Sequence, residues 1–519
     1  MKDKVIRGIR RAQRAVRDSW PEGRAGKVLI ALLVVGTALR ILAIVSWWPV
    51  TTTLGDGYEL HTSNPFDSKL HPAGYSSIMA VIGLVTRQVA ATVLLQHLSG
   101  IASALLLWAA TRRVTGSEWA ALFPAGIVLL DPDFIFFEHS IMSESWFVLL
   151  ISGGLYASVR SLDQPQPYWR WPLAAGVVLS LAVTIRTAAL LMIPVVILAM
   201  LLRRPRSSGS RAVSAGAALG VLTGSLAILL AFGIANATFG DRFGLGASPG
   251  WYLYSRAAQF ADCSKFTPPD GTEVLCQSQP PAERGGTRFY LFSPFSPARM
   301  HFGQIGSHDD LLRQWARRAI LAQPGDYLTT FWDNLRGYWV PSLSPEPSML
   351  SGDPWVLENG LDPQLAFTNG FDEGLYEQAP ASQDGAHRPL PLNVALPLVN
   401  ETFSRSLENF YDDFAAQMRR PGLRFLRGWQ RIVRFGATAL SIATILTLLG
   451  LAFGTRRTRL GVLLFGVGGL SLLIAPSLTA NFWARYTVPM AGPLVAAAAI
   501  AIVGIVRARP WHRPGRAPT

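Results

Sequence analysis

Charged residues are scarce in this chain of 519 residues. Only 15% of the residues are Asp, Glu, Lys or Arg, and half are hydrophobic, whereas soluble domains carry about 25% charged residues. This scarcity excludes an ordinary multidomain soluble protein and a disordered or fibrous chain. Apolar runs such as 28–45, 216–234 and 488–506 are long enough, at about 20 residues, to cross a bilayer as helices. The sequence therefore predicts a polytopic membrane protein.

Cysteine is nearly absent, with Cys263 and Cys276 the only two. No spacing of His and Cys indicates a structural zinc site. Both cysteines fall in a segment that we expect outside the cytoplasm, 13 positions apart. An even pair on an oxidising face predicts one disulfide, and two free buried thiols are the alternative.

Acidic residues are outnumbered by basic ones, 33 to 47, which gives a net charge of +14. The basic residues cluster at the ends of apolar runs, in 1–27, 203–211, 456–459 and 507–516. This is the positive-inside bias of a membrane protein, so no nucleic-acid partner is predicted. No cleavage site follows the first apolar run, which predicts a retained helix behind a cytoplasmic basic tail.

The fold class that we predict is an all-α polytopic membrane protein with about ten transmembrane helices and a mixed extracytoplasmic domain. With the basic clusters inside, both termini are cytoplasmic. The predicted spans are 28–48, 89–111, 118–131, 140–159, 172–185, 187–202, 213–235, 435–454, 460–478 and 487–506. The predicted domains are a basic tail (1–27), a transmembrane core (28–235) with its first outer loop (49–88), an extracytoplasmic domain (236–434), C-terminal helices (435–506) and a second tail (507–519).

Within the extracytoplasmic domain, Asp309–Ala322 and Tyr327–Trp339 read as amphipathic helices separated by a break at Gln323-Pro324-Gly325. Arginines also recur at helical spacing before the eighth span, at Arg420, Arg424, Arg427, Arg431 and Arg434. We interpret this segment as an interfacial helix on the outer leaflet whose Arg face meets lipid phosphates. An error in the assigned topology is the alternative.

The first outer loop contains the residues most suggestive of chemistry. Asp56 lies between two glycines a few residues beyond the first span, with Glu59 close by. An acid at the bilayer surface can accept a proton from a hydroxyl whose reaction partner is membrane-bound. The alternative is a structural role, since Asp in a turn commonly caps the local backbone.

Further residues complete a pattern along the chain. Lys69-Leu70-His71-Pro72-Ala73-Gly74-Tyr75 follows the acid, Gln323-Pro324-Gly325-Asp326-Tyr327 opens a helix, and Arg485-Tyr486-Thr487-Val488-Pro489 precedes the last span. In this order they resemble the GT-C glycosyltransferases. They are most similar to the phospholipid-carrier-dependent family that includes protein O-mannosyltransferases and the lipid A aminoarabinose transferase. The resemblance covers roughly 28–235 and 435–506.

The resemblance implies a GT-C-like fold and a reaction. A sugar on a polyprenyl phosphate lies in the outer leaflet, and an acceptor hydroxyl attacks its anomeric carbon with inversion. Asp56 matches the catalytic Asp of the family and would be the general base. Glu59 is a second acid beside that position. The implied partners are a polyprenyl-phosphate-linked sugar, membrane lipids, and a glycan, lipid or protein acceptor.

A second group of acids lies where the third and fourth spans meet. Asp131, Asp133, Glu138 and Glu144 occur there with His139 and without Lys or Arg. Ionisable groups at membrane depth are costly and tend to be functional. We therefore predict that residues from this group bind the acceptor or a divalent metal ion, since hard cations favour carboxylates. With the nearby acid of the first outer loop, the candidates are Glu59, Asp133, Glu138, His139 and Glu144. A solvated acidic turn is the alternative.

Arginines are the candidates for holding the carrier phosphate. Arg186 interrupts an apolar run and should meet an anion, which is either the phosphate or one of the acids. Arg485 is the second candidate, with interfacial snorkelling as its alternative. Lys69 and His71 are the reserve candidates for the phosphate, and we expect Arg40 in the first span to snorkel.

Two other functions compete with a glycosyltransferase. A transporter or flippase of a lipid-linked glycan should show matched halves, whereas here seven spans precede the large loop and three follow it. A non-catalytic membrane scaffold predicts that replacing Asp56 changes nothing. The abundance of Ala, Arg, Gly and Pro suggests a GC-rich bacterial genome. We accordingly predict a multi-pass protein of the bacterial plasma membrane with its active site on the outer face.

Overall fold

The computed structural model describes most of the membrane part of the chain and about half of the large loop. The described residues are 23–49, 58–163, 169–203, 210–340 without 241, 247 and 294, then 342, 417–418, 420–479 and 484–508. Asp56 lies outside them.

Apolar helices dominate the first half of the chain. In order they are α1 (Gly23–Ser46), α2 (Gly74–Gly83), α3 (Val89–Thr115), α4 (Glu118–Leu130), α5 (Pro132–Glu138), α6 (Glu144–Asp163), α7 (Arg170–Ile185), α8 (Met192–Leu202) and α9 (Ser210–Phe239). Pro132 begins α5 directly after Asp131, whose backbone is extended. Because proline is favoured in the first turn of a helix and cannot continue the preceding one, the chain bends by 53° between α4 and α5.

The second half contains a helical domain and the last membrane helices. The helices between α9 and the next membrane segment are α10 (Pro249–Ala257), α11 (Thr287–Phe292), α12 (Pro297–Phe302), α13 (Asp309–Ala322) and α14 (Pro324–Arg336). We call the described residues 242–340 the interspan domain. The last helices are α15 (Arg420–Ile432), α16 (Ala437–Phe453), α17 (Arg456–Val462), α18 (Gly468–Thr479) and α19 (Thr487–Ala508), with a π-helical turn between α17 and α18.

Seven helical segments are long and apolar enough to cross a membrane, and the bent pair α4–α5 makes an eighth. The protein is therefore an all-α, multi-pass membrane protein, as predicted. The predicted number of ten spans is not confirmed. The predicted spans 172–185 and 187–202 correspond to short helices. The longer of these, α7, has 16 residues, and at 1.5 Å per residue its length of about 24 Å is less than the roughly 30 Å of a hydrocarbon core.

Small residues allow the membrane helices to pack closely. At Gly176 of α7, an added Cβ would lie 2.1 Å from the carbonyl oxygen of Val221 in α9. At Gly224 of α9, it would lie 2.4 Å from the carbonyl oxygen of Leu173. The two backbones therefore pack directly on each other, as expected for helix pairs in lipid. The alanine-rich α19 is the most enclosed candidate span, with 78% of its apolar window buried.

The interspan domain has its own apolar core, in which Trp251, Tyr254 and Trp315 are almost fully buried. The two predicted amphipathic helices are confirmed, the first with its predicted bounds as α13. The second, α14, begins at Pro324 and ends at Arg336, so the break is confined to Gln323. Among the described residues the only strand of the 236–434 range is Gln417–Met418, which pairs antiparallel with Trp47–Trp48. The described part of this range is thus helical.

A disulfide joins Cys263 and Cys276, as the sequence predicted. It closes a short loop on the surface of the interspan domain. On the chain-entropy model, a loop of about this length gains about 3 kcal/mol of stability from its cross-link. We therefore expect the Cys263→Ser, Cys276→Ser variant to unfold at a lower temperature than the wild type in non-reducing detergent solution. Mass spectrometry of unreduced peptides checks the bond, and two free thiols would contradict it.

The arginine-rich segment forms α15, which lies against α1 and α5. Trp429 Nε1 donates to the carbonyl oxygen of Leu130 over 2.8 Å, while Phe425 and Ile432 stay exposed. Arg424 and Arg431 are also exposed, which agrees with an amphipathic helix at an interface. Just beyond the helix, Arg434 departs from the predicted lipid contact, because its Nε donates to Asp133 over 2.8 Å.

Candidate functional site

A cavity of about 380 Å³ lies where the interspan domain meets the membrane helices. Its walls come from the ends of α7, α18 and α19 and from the loop that precedes α2, and α10 and α11 of the interspan domain close one side. We call it the arginine cavity. Most of its lining is apolar, including Phe147, Leu190, Leu245, Leu472 and Pro476, and its polar side chains include Tyr58, His71, Arg186, Arg485 and Tyr486.

Arg186 reaches the cavity because a helix ends beside it. The backbone of α7 ends at Ile185, and Arg186 is extended before a 3₁₀ turn begins at Thr187. Its Nη2 donates to Glu144 Oε1 over 2.5 Å and its Nε donates to Ser143 Oγ over 2.9 Å. Glu144 is 1% exposed, so a buried carboxylate fixes the position of the Arg186 guanidinium.

Arg485 approaches the same carboxylate from another helix. It lies in the 3₁₀ turn Ala484–Tyr486 that leads into α19, and its Nε is 3.8 Å from Glu144 Oε1. Both guanidinium carbons lie 5.8 Å from the centre of the Tyr486 ring, within the range of a cation–π contact. Glu144 and Tyr486 therefore fix two arginines, separated by about 300 residues in sequence, on one wall.

Tyr58 and His71 provide the facing polar groups. The Tyr58 ring packs on His71 with centroids 4.6 Å apart and edge-on against Tyr75 at 4.8 Å. Its hydroxyl lies 3.0 Å from Ser143 Oγ, which also accepts from Arg186. Ser143 therefore links Tyr58 of this loop to Arg186 in the wall of the arginine cavity.

The interspan domain holds this loop through two backbone contacts. Ser248 Oγ donates to the carbonyl oxygen of Lys69 over 2.6 Å, and the Tyr252 hydroxyl donates to that of Leu70 over 3.1 Å. Helix α10 is itself fixed because Asp309 accepts from the backbone N–H groups of Gly250 and Trp251. Burial raises the pKa of Asp309 above its usual range, and these two hydrogen bonds oppose the rise.

The electrostatics of the arginine cavity favour an anion. The guanidinium groups of Arg186 and Arg485 both lie beside Glu144 at the wall of a largely apolar enclosure. A charge in such surroundings interacts more strongly than in water. Arginine forks match the geometry of phosphate and carboxylate groups. The cavity can therefore bind a molecule with an anionic group and an apolar body.

The acids that we expected to bind an acceptor or a metal ion have other partners. Asp133 accepts from Gln430 Nε2 over 2.7 Å and from Arg434 over 2.8 Å. Asp131 accepts from the backbone N–H groups of Asp133 and Phe435. These two carboxylates thus hold the end of α15 and the turn after it against α5. The sequence could not reveal this role, because the partners are about 300 residues apart.

Glu138 and His139 belong to a buried polar network and do not line the arginine cavity. Arg40 donates to Glu138 Oε1 over 2.7 Å, and His97 Nδ1 lies 2.9 Å from Glu138 Oε2. His97 Nε2 is 3.3 Å from His139 Nδ1, and His139 Nε2 is 2.6 Å from the carbonyl oxygen of Trp47. Arg40 is 2% exposed, so the expectation that it snorkels to the interface is wrong. Its buried acidic partner removes the need to reach water.

Glu144 therefore differs from the other acids in that it contacts both arginines of the cavity. Across the described residues no group of three or more His, Cys, Asp or Glu side chains is placed to hold a metal ion. A divalent cation stays a prediction that rests on sequence, and chelation with EDTA in a transfer assay would test it.

The remaining predicted residues divide between the cavity and its surroundings. His71 lines the cavity. Lys69 lies beside it, 45% exposed and 3.5 Å from Asp67. Asp56 is outside the described residues, and for Glu59 only the backbone, within the 3₁₀ turn Tyr58–His61, is described. In the same turn, burial lowers the pKa of His61 below its usual value, and the Asp67 carboxylate opposes this shift.

Sequence reasoning missed four cavity or supporting residues, namely Tyr58, Ser143, Tyr252 and Tyr486. Tyr58 lies two positions after Asp56, and Tyr486 follows Arg485 within the pattern that precedes the last span, so proximity to a candidate residue was the available indication. Ser143 and Tyr252 had none, since a lone serine and one aromatic in a cluster are compatible with ordinary packing.

Comparison with known proteins identifies one segment of the chain. Residues 83–203 match the family model described as dolichyl-phosphate-mannose-protein mannosyltransferase. The matched segment runs from the end of α2 to the end of α8, so it includes Glu144 and Arg186. The resemblance to lipid-carrier-dependent GT-C enzymes is therefore confirmed for this part of the chain. No curated protein matches the chain as a sequence relative.

The chain is distantly similar to several solved structures. The apo oligosaccharyltransferase of Archaeoglobus fulgidus is 12% identical, with a TM-score of 0.42 over 92% of this chain and 50% of that one. The same enzyme tethered to an acceptor peptide is also 12% identical, with a TM-score of 0.41 over 91% of this chain and 49% of that one. The archaeal oligosaccharyltransferase AglB from the same organism, in complex with an inhibitory peptide and a dolichol-phosphate, is 12% identical, with a TM-score of 0.40 over 91% of this chain and 50% of that one. The chain spans about half the length of these proteins.

Proposed function

We propose that the protein is an integral membrane glycosyltransferase that moves a sugar from a polyprenyl-phosphate donor to an extracytoplasmic acceptor hydroxyl. The observation that supports this most is the pair Arg186 and Arg485 on one wall of an apolar cavity beside the membrane helices. The family match over 83–203 adds independent support. By that family's description, a mannosyl donor is the first to test.

In this proposal the arginines hold the donor phosphate. Glu144 keeps both guanidinium groups in place, and the apolar lining near Leu190, Leu245 and Leu472 receives the first isoprene units. The donor phosphate is charged before and after the sugar leaves. Each arginine therefore contributes to donor binding and also stabilises the leaving phosphate in the transition state.

Asp56 is the proposed general base, and the reaction is inverting. The acceptor oxygen forms a bond to the anomeric carbon while the bond from that carbon to the phosphate oxygen breaks. The hydroxyl proton passes to the Asp56 carboxylate, and the electron pair leaves with the polyprenyl phosphate. Tyr58, two positions after Asp56 in the sequence, lines the cavity. This proximity in sequence supports a base at the cavity.

Donor binding tests the proposal. We expect Arg186→Ala and Arg485→Ala each to weaken binding of a polyprenyl-phosphate sugar roughly ten- to a hundredfold, because a hydrogen bond to a charged group contributes about 1.5–3 kcal/mol. Substitution by Lys should restore only part of the affinity, since it keeps the charge and loses the planar fork. Binding is measured on purified protein in detergent with radiolabelled donor.

The control for these variants is Arg112→Ala, which removes a half-buried arginine paired with Glu118 at another membrane-helix end. It should bind donor as the wild type does. Melting curves of all variants separate lost affinity from misfolding. If Arg186→Ala melts early but binds donor normally, Arg186 is only the structural partner of Glu144.

We also propose that both termini are cytoplasmic and that the arginine cavity and the interspan domain lie on the outer face. The disulfide in that domain supports this side, since such bonds persist in oxidising compartments. A cysteine placed at exposed Thr329 of α14 should react with a membrane-impermeant maleimide in intact cells. One placed at exposed Arg211 of α9 should react only after lysis. The native cysteines are disulfide-bonded and do not react with the maleimide. Reversed labelling would contradict the topology.

A further inference from the structure

A second cavity lies within the interspan domain. It is an open cleft of about 610 Å³ between α14 and the segment 259–284, which contains the disulfide-bonded Cys263 and Cys276. We call it the polar cleft. Its lining is dominated by carboxamide, carboxylate and hydroxyl side chains, for example Gln259, Gln279, Asp326, Thr330 and Asn334. It thus differs from the apolar arginine cavity.

Asn334 is the unusual member of this lining. Its side chain is nearly inaccessible, at 1% exposure, and its Nδ2 donates to the carbonyl oxygen of Thr330 over 2.8 Å. Its Oδ1 has no hydrogen-bond partner among the described residues. A buried acceptor without a donor costs about 1–3 kcal/mol, and native proteins rarely retain such groups without a reason. A ligand with a hydroxyl or amide donor would satisfy it.

The charged side chains that line the polar cleft already have partners in the protein. Lys265 lies 3.8 Å from Asp262 and 4.0 Å from Asp326, and Asp333 pairs with Arg336 at 3.1 Å. Arg284 donates to four backbone carbonyl oxygens. A strongly charged ligand would have to compete with these contacts. The cleft therefore suits an uncharged ligand with many hydroxyl groups.

The walls of the polar cleft are built to keep their shape. Gln323 accepts from the backbone N–H of Asp262 and donates to Asp326, so it joins the two sides. The contacts of Arg284 fix the loop that follows the disulfide. Preformed polar groups lose little conformational freedom when they bind a ligand, which favours recognition of a small polar molecule.

The polar cleft is connected to the arginine cavity by short structural links. The Tyr327 hydroxyl of α14 donates to the carbonyl oxygen of Leu478 over 3.1 Å, and the next residue, Thr479, lines the arginine cavity. Helix α10 contributes Tyr252 to the arginine cavity, and Gln259 just beyond it lines the polar cleft. A chain bound in the cleft could thus extend toward the donor.

We propose that the polar cleft binds the acceptor and that the acceptor is an uncharged, polyhydroxylated chain, that is, a glycan. This inference rests on the proposed function and specifies its acceptor class. The hydroxyls of the glycan donate to Asn334 Oδ1 and exchange hydrogen bonds with the carboxamides and carboxylates of the cleft. One terminal hydroxyl then reaches the donor, with the bonds and the proton exchanged as described above.

Binding of a neutral probe tests the polar cleft without any catalysis. Saturation-transfer difference NMR on the purified full chain should show contact with maltotriose and none with trilysine. Asn334→Leu keeps the size of the side chain and removes the unsatisfied acceptor. An unsatisfied buried acceptor lowers the stability of the protein when no ligand is bound, so the variant should melt no earlier than the wild type. It should nevertheless bind maltotriose roughly three- to tenfold more weakly.

A second variant and a control make the result independent of folding. Gln279→Ala changes an exposed side chain of the cleft and should also weaken binding of maltotriose. Asp310→Asn, on the surface of α13 and 77% exposed, should not. Preferential binding of trilysine would overturn the proposal, and so would no binding of maltotriose or wild-type binding by both cleft variants.

Activity separates this inference from the proposed function. In membranes that contain the natural acceptor, both cleft variants should slow transfer of radiolabelled sugar and leave donor binding and donor hydrolysis unchanged. If the wild type does not bind the donor, the proposed glycosyltransferase function itself is contradicted. Normal donor chemistry with transfer unaffected by the cleft variants would remove only the assignment of the acceptor site.

Discussion

Replacing Asp56 with Asn should leave donor binding intact and lower sugar transfer roughly 100- to 10,000-fold, the usual contribution of general acid–base catalysis. This corresponds to about 3–5 kcal/mol of activation barrier. Asn keeps the shape of the side chain and cannot accept the hydroxyl proton. The measurement is the rate of transfer from radiolabelled polyprenyl-phosphate mannose, with the donor at saturation so that affinity does not enter.

The matched control for Asp56→Asn is Asp67→Asn. Asp67 lies in the same loop, is 64% exposed and interacts only weakly with Lys69 at 3.5 Å. Because surface ion pairs contribute at most about 1 kcal/mol, this variant should transfer sugar at nearly the wild-type rate. Full activity of Asp56→Asn with a validated donor would show that Asp56 is not the base.

Replacing Glu144 with Gln should have the second largest effect, and it should affect stability and donor binding together. Glu144 is 1% exposed and touches both Arg186 and Arg485. Breaking a buried ion pair costs about 3–5 kcal/mol, because the remaining charge stays buried without compensation. We expect a marked loss of thermal stability. Without the carboxylate, the arginines lose their fixed positions, so donor affinity should also fall.

A second buried acid provides the comparison for Glu144. Glu138 is equally buried and pairs with Arg40 and His97, yet it does not line the arginine cavity. Glu138→Gln should therefore melt early and bind donor with wild-type affinity once folded, at a temperature below both melting transitions. Equal losses of donor affinity in the two variants would mean that Glu144 acts only through stability.

Much of the membrane architecture could be predicted from sequence, because length and apolarity determine whether a helix can span a bilayer. The number of spans could not. The predicted break at Arg186 in the apolar run from 172 to 202 is confirmed, because α7 ends at Ile185 and a short 3₁₀ segment follows. The lengths of α7 and α8 could not be judged as too short for full spans from apolarity alone. Amphipathic patterns predicted α13 and α14, since they describe which face packs on a core.

The arrangement of the candidate site was harder to predict. A buried arginine requires an anion, so Arg186 could be singled out, but its two possible partners were left open. The structure provides Glu144 and leaves room for a phosphate as well. Asp133 resembled a site residue for the same physical reason, and its partner Arg434 lies 301 positions away. Pairings over such separations depend on the packing of helices, which no local pattern contains.

The most direct test of the proposed transferase is the fate of the donor on the purified protein. Radiolabelled polyprenyl-phosphate mannose is incubated with the wild type, Asp56→Asn and Arg186→Ala, and the products are separated. The wild type should cleave the bond between sugar and phosphate, by transfer to an acceptor or slow hydrolysis, and both variants should be impaired. Donor that binds to the wild type and remains intact, or crosses between leaflets of reconstituted vesicles without cleavage, would contradict the account.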